Sequence, residues 1–293
     1  MSQPTAKTIL RSRNASAPQY VLSTLLVRMP RIILAEWNTH RVFSRNAAST
    51  RAIPTKKLIE QVSTDPFIPL VWGKNVPGMQ SVGIHEDAAT CEMEWLKARD
   101  AAVESAERLM DLGLHKQIVG RVLEPWMWTL VCVSSTEWTN FRELRDHEAA
   151  EPHIQMLARE IGACLDDEST VQTLRPGEWH LPFVEVSDWE SLYRLGEKET
   201  EAVSLARKLS VARCASTSYK TVDGFDMTLE RAIALHDKLV GSKPLHASPC
   251  EHVAQADDHA RISTKSEPQW LHPHEHANFT GFRQYRHMLG ESA

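Results

Sequence analysis

The stretch formed by residues 40–51 limits most strongly how this chain can fold. Its twelve residues, HRVFSRNAASTR, include one histidine, three arginines, one asparagine and two serines, so very little of it can fill a core. Arginine presents a planar fork of donors that suits phosphate, and serine and asparagine add short donors. The stretch can therefore hold a phosphorylated, planar ligand such as a nucleotide. The alternative is a solvated helix end with ordinary capping.

The composition allows a large core and argues against several classes of protein. The chain has 293 residues, 42% of them hydrophobic, which is enough for one large domain or two small ones. A net charge of −5 without a long basic run argues against bulk binding to nucleic acid, and no apolar run is long enough to span a membrane. Five widely spaced cysteines without a C-x-x-C pair indicate a reducing compartment and no disulfide framework.

The first half of the chain alternates between clear elements and loops. Residues 1–17 are polar and lack the apolar core of a signal peptide, so we expect a flexible tail. Residues 20–29 are rich in β-branched and apolar side chains and predict a strand. Pro30 then suits the first turn of a helix that delivers His40 at its end. A loop-rich connection and a long helix over residues 86–112 follow.

The second half is mainly helical by pattern. Residues 126–133 predict a buried strand or the start of a buried helix, which periodicity cannot separate. A helix over residues 137–148 places Arg145 at the margin of an apolar stripe, where it is either partly desolvated or extends from the core edge into water. Further helices are predicted over three ranges: residues 153–165, 189–212 and 226–240.

The polar stretch resembles the signature of the flavin-dependent thymidylate synthases (the ThyX family), R-H-R-x(7)-S-x-R. Here it reads Thr39-His40-Arg41, seven residues, then Ser49-Thr50-Arg51. Ser44 and Asn46 also fall where the family commonly has serine and asparagine. Two positions depart from the family pattern: Thr39 replaces the first arginine, and Ala47 replaces a common glutamate.

Other segments resemble the same family, but in an altered order. Residues 118–125, with Arg121, are similar to its E-x-A-R-x-x-L-P segment, and residues 140–145 are similar to N-F-x-x-L-R. Glu151 departs from a usual glutamine. Residues 212–216 and 248–252 resemble A-R-x-S and [ST]-P-x-E-H segments that precede the signature in the family. The resemblance therefore predicts a circular permutation, which proteins tolerate where the old termini lie close together.

The resemblance implies an architecture and an assembly. We expect an α+β, ThyX-like fold in which an antiparallel or mixed sheet packs with long helices. Residues 18–293 are predicted to form a single catalytic domain, with the family pieces in residues 210–252 permuted towards the end. The family's members are homotetramers that share active sites between subunits. We expect a cytoplasmic protein, in the host cytoplasm if it is phage-encoded, because residues 278–286 resemble the tails of phage members.

The resemblance also implies the reaction and the site. FAD is reduced by NADPH, and a one-carbon unit passes from methylenetetrahydrofolate to dUMP, giving dTMP. No metal, nucleic-acid partner or membrane is expected. Arg145 and Ser49 are the implied catalytic residues. The implied dUMP-binding residues are Glu36, Ser49, Arg51, Arg121 and Arg145. The implied FAD-binding residues are His40, Arg41, Val42, Asn46, Asn140, His246, Ser248 and Glu251.

Other functions stay open at this point. Loss of the charges at positions 39 and 47 is compatible with a different transferred group, such as hydroxymethyl, or with a non-catalytic nucleotide-binding paralogue. Arg283 or Arg286 in the tail is a candidate to replace the missing positive charge. A metal enzyme is the third alternative, because three histidines alternate near the C-terminus and a strand would put them on one side: His272, His274 and His276.

Overall fold

The computed structural model of the chain describes residues 2–78, 82–196, 198–216, 227–243, 248–260 and 269–289. The strands are β1 (Thr5–Asn14), β2 (Val21–Pro30), β3 (Ser44–Ala47), β4 (Gly73–Lys74), β5 (Val82–Ile84), β6 (Trp128–Ser135), β7 (Val171–Leu174), β8 (Trp179–His180), β9 (Ala254–Ala256), β10 (His259–Ala260), β11 (Gln269–Trp270) and β12 (Phe282–Gln284). The α-helices are α1 (Leu34–Trp37), α2 (Thr55–Thr64), α3 (Ala88–Asp111), α4 (Lys116–Val122), α5 (Thr139–Arg145), α6 (Pro152–Asp166), α7 (Val186–Leu195), α8 (Glu199–Ala215), α9 (Leu229–Gly241) and α10 (Tyr285–Met288).

A mixed five-stranded sheet forms the centre of the fold, in the order β3-β6-β2-β1-β7. The pairs β3–β6, β6–β2 and β2–β1 are antiparallel, whereas β1 and β7 are parallel. With the 24-residue helix α3 and the 15-residue helix α6 packed in the same structure, the predicted α+β class with a mixed sheet and long helices is confirmed. The edge strand β3 lies within the polar stretch of residues 40–51.

The predicted flexible tail of residues 1–17 is wrong, because Thr5–Asn14 is a strand inside the sheet. The polarity of this segment misled the prediction. Arg11 is almost fully buried, and its guanidinium donates to the carbonyls of Leu165 and Asp167, both at 2.7 Å. These carbonyls belong to the end of α6, where a cation satisfies groups that the helix leaves unpaired.

One face of the sheet packs on α6. Apolar residues alternate along β2 and β6, as expected for strands with one face in the core. The buried residues of this interface are Leu25, Val27, Met29, Val131, Val133, Ile154, Leu157 and Ile161. The predicted strand of residues 20–29 and the predicted helix of residues 153–165 are therefore confirmed, and residues 126–133 resolve as a strand.

The opposite face is covered by a second, three-stranded sheet, ordered β12-β9-β8. The core between the two sheets includes Leu22 of β2, Phe282 of β12 and two alanines of β9. Helices α7 and α8 pack beside it with α10 and the segment Ser248–His252. The C-terminal part of the chain thus returns to the sheet that its N-terminal half builds.

Three predicted helices differ in length from the observed ones. The helix expected over residues 189–212 is two helices, α7 and α8, separated at Gly196. A Cβ at Gly196 would lie 2.6 Å from the Ala202 nitrogen, a closeness that only glycine permits. The helix expected over residues 137–148 is limited to α5, and the helix after Pro30 is a short 3-10 turn followed by the four-residue α1.

Candidate active site

The signature stretch leaves α1 and becomes an edge strand. Helix α1 ends at Trp37, so His40 lies in the turn before β3 and not at a helix end. Arg45 of β3 explains the early stop: its NH1 donates to the carbonyls of Trp37, Asn38 and His40, at 3.4, 3.1 and 2.9 Å. The strand then pairs with β6, with Ser44 opposite Ser134.

Arg145, at the end of α5, is held by three residues of the α1 turn. Its Nε donates to His40 Nε2 at 2.9 Å, its NH1 to Glu36 Oε2 at 3.2 Å and its NH2 to Thr39 Oγ1 at 3.3 Å. The guanidinium is thereby fixed at the rim of the sheet, with the Arg145 side chain 20% exposed. A cation held in one orientation can stabilise negative charge that develops on a bound ligand.

His40 is a neutral acceptor in this cluster. Burial, and then the charges of Arg145 and Arg45, lower the pKa of His40 to about 4. Because Nε2 accepts from Arg145, the single proton of the imidazole is on Nδ1. The ring lies between Phe43 and the edge of Phe141, with ring centroids 5.8 and 5.0 Å away. His40 therefore orients Arg145 without adding charge.

A second group lies after β3, in the turn of residues 48–53. The Ser49 hydroxyl accepts from the Arg51 backbone nitrogen at 3.3 Å. Helix α4 packs tightly on this turn through Gly120, where a Cβ would lie 3.4 Å from Thr50 Cβ. This contact brings the backbone of α4 next to the turn that carries Ser49 and Arg51, and Arg121 follows Gly120 in that helix.

The arginines of this region differ in how far they are engaged. Arg121 donates to Glu124 Oε1 at 2.9 Å, and Arg31 donates to the same oxygen at 2.8 Å. Arg41 and Arg51 are exposed, and neither side chain has a hydrogen bond or ion pair within the described ranges. Exposed guanidiniums on either side of β3 suit a ligand that carries more than one phosphate.

The C-terminal segments reach the same strand. Asn46 Nδ2 donates to the carbonyl of Cys214 in α8 at 2.6 Å. The 3-10 turn Ser248–His252 packs against β3, and the charge of Glu251 raises the pKa of Arg45, opposing the larger lowering by burial. Glu251 also pairs with Arg286. The two pieces whose order differs from the family thus lie beside the signature.

Some predicted residues are not joined to these groups. Asn140 is exposed in the first turn of α5 and makes no side-chain hydrogen bond within the part of the chain that is described. Val42 is 41% exposed before β3, and Ser248 is exposed at the start of its turn. His246 lies outside the described residues.

The sequence missed several residues that build the site. Asn278 Nδ2 donates to the Val42 carbonyl at 2.8 Å, and Gln284 Nε2 donates to Ser44 Oγ at 3.2 Å. Arg31 and Gly120 were missed as well. Both amides lie in the tail that resembles phage members, so that resemblance was the available signal. Of the two tail arginines, Arg286 reaches Glu251, whereas Arg283 is engaged elsewhere, by Glu275 and Gln255.

The histidine-rich tail is arranged for hydrogen bonding. Residues Pro273–Glu275 form a 3-10 turn, so the three histidines do not lie on the strand that the metal alternative invoked. His272 Nδ1 and His276 Nε2 both contact the buried carboxylate of Asp257, at 2.8 and 2.9 Å, and His274 is exposed. Among the described residues, no group of three or more His, Cys, Asp or Glu side chains is placed to hold a metal ion.

The donor set fits a phosphorylated, planar cofactor or nucleotide. It combines exposed guanidiniums, short hydroxyl and amide groups, and a fixed arginine beside a neutral imidazole. Residues 2–168 match the family described as thymidylate synthase complementing protein, which is more than half of the chain. The chain belongs to this family, and the expectation of a thymidylate synthase-like protein is confirmed.

Solved structures with a similar fold include two of the UMP/dUMP methylase PolB from Streptomyces cacaoi. The structure bound with 5-Br UMP shares 19% identity over 58% of this chain and 91% of PolB, with a TM-score of 0.48. The structure bound with 5-Br dUMP shares 17% identity over 58% of this chain and 92% of PolB, with a TM-score of 0.46. Among curated proteins, none matches this chain.

Among the described residues, no helix is both long enough and apolar enough to cross a membrane.

Proposed function

We propose that this chain is a flavin-dependent thymidylate synthase-like enzyme that converts dUMP to dTMP, with methylenetetrahydrofolate as one-carbon donor and FAD and NADPH as redox cofactors. The observation that carries the proposal is the fixation of Arg145 by Glu36, Thr39 and His40, within a chain that belongs to the family. When bound, the flavin supplies the hydride, and the protein's part is to bind, orient and polarise.

The substrate is assigned to the two groups that flank β3. Arg51, Arg121 and Ser49 are assigned to the dUMP phosphate and sugar. Support comes from the packing of α4, which carries Arg121, on the turn that carries Ser49 and Arg51. Arg145 faces the uracil ring and stabilises negative charge as it develops there. Glu36 keeps the guanidinium oriented and is assigned to the same ligand. Ser49 and Arg145 are the proposed catalytic residues.

The flavin is assigned to β3 and to the C-terminal pieces that reach it. His40, Arg41 and Val42 lie before the strand, Asn46 lies within it, and Asn140 lies on α5. Ser248 and Glu251 come from the turn that packs on the strand, and His246 precedes that turn in sequence. The contact of residues 212–216 and 248–252 with β3 supports a circularly permuted domain, because both pieces lie beside the signature despite their late position in the chain.

The departures at positions 39 and 47 have structural counterparts. Thr39 contributes an oxygen that accepts from Arg145, where an arginine would place a second cation against it. Ala47 pairs with Val131 at the end of β3 and offers no carboxylate. Because these changes alter the charge around the ligand, transfer of hydroxymethyl in place of methyl is the second candidate. We also propose the homotetramer typical of the family.

The test is a complete reaction with defined omissions. The purified protein is incubated with dUMP, methylenetetrahydrofolate, NADPH and FAD, and the nucleotide product is identified by chromatography and mass. We expect dTMP, and its loss when FAD or the folate is omitted. A hydroxymethylated product supports the second candidate. An unchanged dUMP pool, with FAD and dUMP both shown to bind, contradicts catalysis and favours a nucleotide-binding paralogue.

A further inference from the structure

A continuous line of hydrogen-bonded polar side chains, buried except at one end, crosses the face of the five-stranded sheet that the second sheet covers. We call it the buried polar row: Gln172, Ser12, His180, Thr24, Ser134 and His252. Its links are Gln172 Nε2 to Ser12 Oγ at 3.1 Å, Ser12 Oγ to His180 Nδ1 at 2.7 Å, His180 Nε2 to Thr24 Oγ1 at 2.8 Å, Thr24 Oγ1 to Ser134 Oγ at 2.6 Å and Ser134 Oγ to His252 Nδ1 at 2.8 Å.

Burial makes these links costly to break. All members except Gln172 are completely buried. A buried hydroxyl or imidazole that loses its partner retains the full cost of leaving water. Apolar residues could fill the same space between the sheets, as Leu22 and Phe282 do beside the row. A connected polar network in such a place favours one arrangement of the elements that contribute to it. At its end, His252 Nε2 is buried and has no hydrogen-bond partner among the described residues.

The links of the row are consistent with one order of donors that starts at Gln172. Gln172 donates to Ser12, so the Ser12 hydroxyl hydrogen is available for His180 Nδ1. Burial, and then the charge of His252, lower the pKa of His180 to about 3, so this imidazole carries one proton. With Ser12 as donor to Nδ1, that proton lies on Nε2 and is donated to Thr24. Thr24 then donates to Ser134. The order of donors runs in one direction, from β7 towards β6.

The row ends on His252, in the turn proposed to bind flavin. In this order Ser134 donates to His252 Nδ1. Burial disfavours a charged His252, but the Cys132 sulfur and Glu251 raise its pKa above the usual value. A protonated His252 would donate from Nδ1 and reverse the donors up to Ser12, so His252 stays bonded to Ser134 in either state.

The turn has few other polar anchors. Within the described ranges, the side-chain hydrogen bonds of Ser248–His252 are those of His252 with β6 and of Glu251 with Arg286 of α10. His252 is adjacent in sequence to Glu251, whose charge acts on Arg45 of β3. An imidazole that is fixed from within the sheet therefore fixes the side of the turn that faces the candidate site.

We propose that the buried polar row is a positioning device, which holds His252 and, through it, the Ser248–His252 turn that presents Ser248 and Glu251 to the flavin. The members of the row do not touch the ligand; they act through the turn. The inference rests on the proposed function for its ligand. It assigns a role to Thr24 and His180, two residues that lie outside all the segments assigned to the site.

The test breaks the row at Thr24, which bonds to Ser134 and His180 but not to His252. Thr24→Val removes the hydroxyl at nearly constant volume, and Thr24→Ser retains it. Val27→Ala is the matched control, because Val27 is equally buried on the same strand and faces α6 instead. The FAD dissociation constant is measured from flavin fluorescence, and ¹⁵N NMR of the histidine side chains reports their protonation. A His252→Gln variant assigns the His252 signals.

Thr24→Val is expected to weaken FAD binding about fivefold, the size of one lost hydrogen bond, and to shift the His252 signals. Thr24→Ser and Val27→Ala are expected to remain within about twofold of the wild type in FAD affinity. Equal weakening in Thr24→Val and Val27→Ala, or unchanged His252 signals in Thr24→Val, overturns the proposal. If the wild type binds no FAD, the proposed function fails, and the NMR comparison alone decides whether the row controls His252.

Discussion

Acid is expected to destabilise this protein through His40 in a defined pH range. The pKa of His40 is lowered to about 4 by burial and by two arginines, whereas an unfolded histidine has its ordinary value of 6.5. At pH values between these two pKa values, His40 is protonated in the unfolded chain and neutral in the folded chain. The free energy of unfolding therefore falls as the pH drops below about 6.5, and the loss is complete below about pH 4.

The magnitude follows from the two pKa values. Between about pH 7 and about pH 5, the proton uptake of the unfolded state alone lowers the free energy of unfolding by about 2 kcal/mol. His40 is 5% exposed, so the value needs little correction for solvent screening. Other buried histidines, such as His180, add to the total, and a comparison of variants is required to isolate His40.

The assay is urea unfolding at both pH values for the wild type and His40→Gln. The glutamine keeps an acceptor for Arg145 Nε but cannot titrate. We expect the wild type to lose about 2 kcal/mol more than His40→Gln on going from the higher to the lower pH. Equal losses in the two proteins refute the reasoning, because His40 would then take up its proton in the folded state as readily as in the unfolded state.

Three further predictions concern single side chains. Asn46→Ala should lower the free energy of unfolding by about 1 kcal/mol, since it removes the bond to the Cys214 carbonyl; no change in urea unfolding contradicts this. Arg213→Ala should lower the free energy of unfolding by about 3–5 kcal/mol, because it leaves the carboxylate of Asp188 without the hydrogen bonds that two nitrogens of Arg213 donate to it. A measured loss under about 1 kcal/mol contradicts a stabilising buried ion pair. Arg145→Ala should reduce dTMP formation by about 10²–10³-fold while thermal unfolding stays near the wild type, and near-normal turnover excludes Arg145 from catalysis.

The spacing of apolar residues in the sequence predicted those helices and strands in which such residues recur regularly. Strand β2 and helices α3 and α6 carry their apolar residues at the spacing of their own geometry, and each was found within a few residues of its predicted range. Strand β1 has no such pattern, since it carries the polar residue Arg11 at a buried position. The carbonyls that accept hydrogen bonds from Arg11 lie more than 150 residues away in the sequence. A polar strand of this kind is visible only once its distant partners are known.

The site was predictable in its residue types but not in its grouping. The resemblance identified Arg145 and His40 separately, and the fold joins them through α5 and the α1 turn. The approach of α4 to the Ser49 turn depends on Gly120, whose missing side chain leaves no trace in a hydrophobic pattern. The contributions of Asn278 and Gln284 arise from tertiary contacts with β3, and the resemblance of the tail to phage members gave neither residue a role.

The central claim is that the signature strand and the C-terminal turn together bind a flavin. It is tested most directly by the visible absorption spectrum of the purified protein, recorded before and after FAD and then dUMP are added. We predict bands at about 375 and about 450 nm that co-purify or shift on titration with FAD, and that respond again to dUMP. A colourless protein whose addition leaves the spectrum of FAD unchanged would contradict the account.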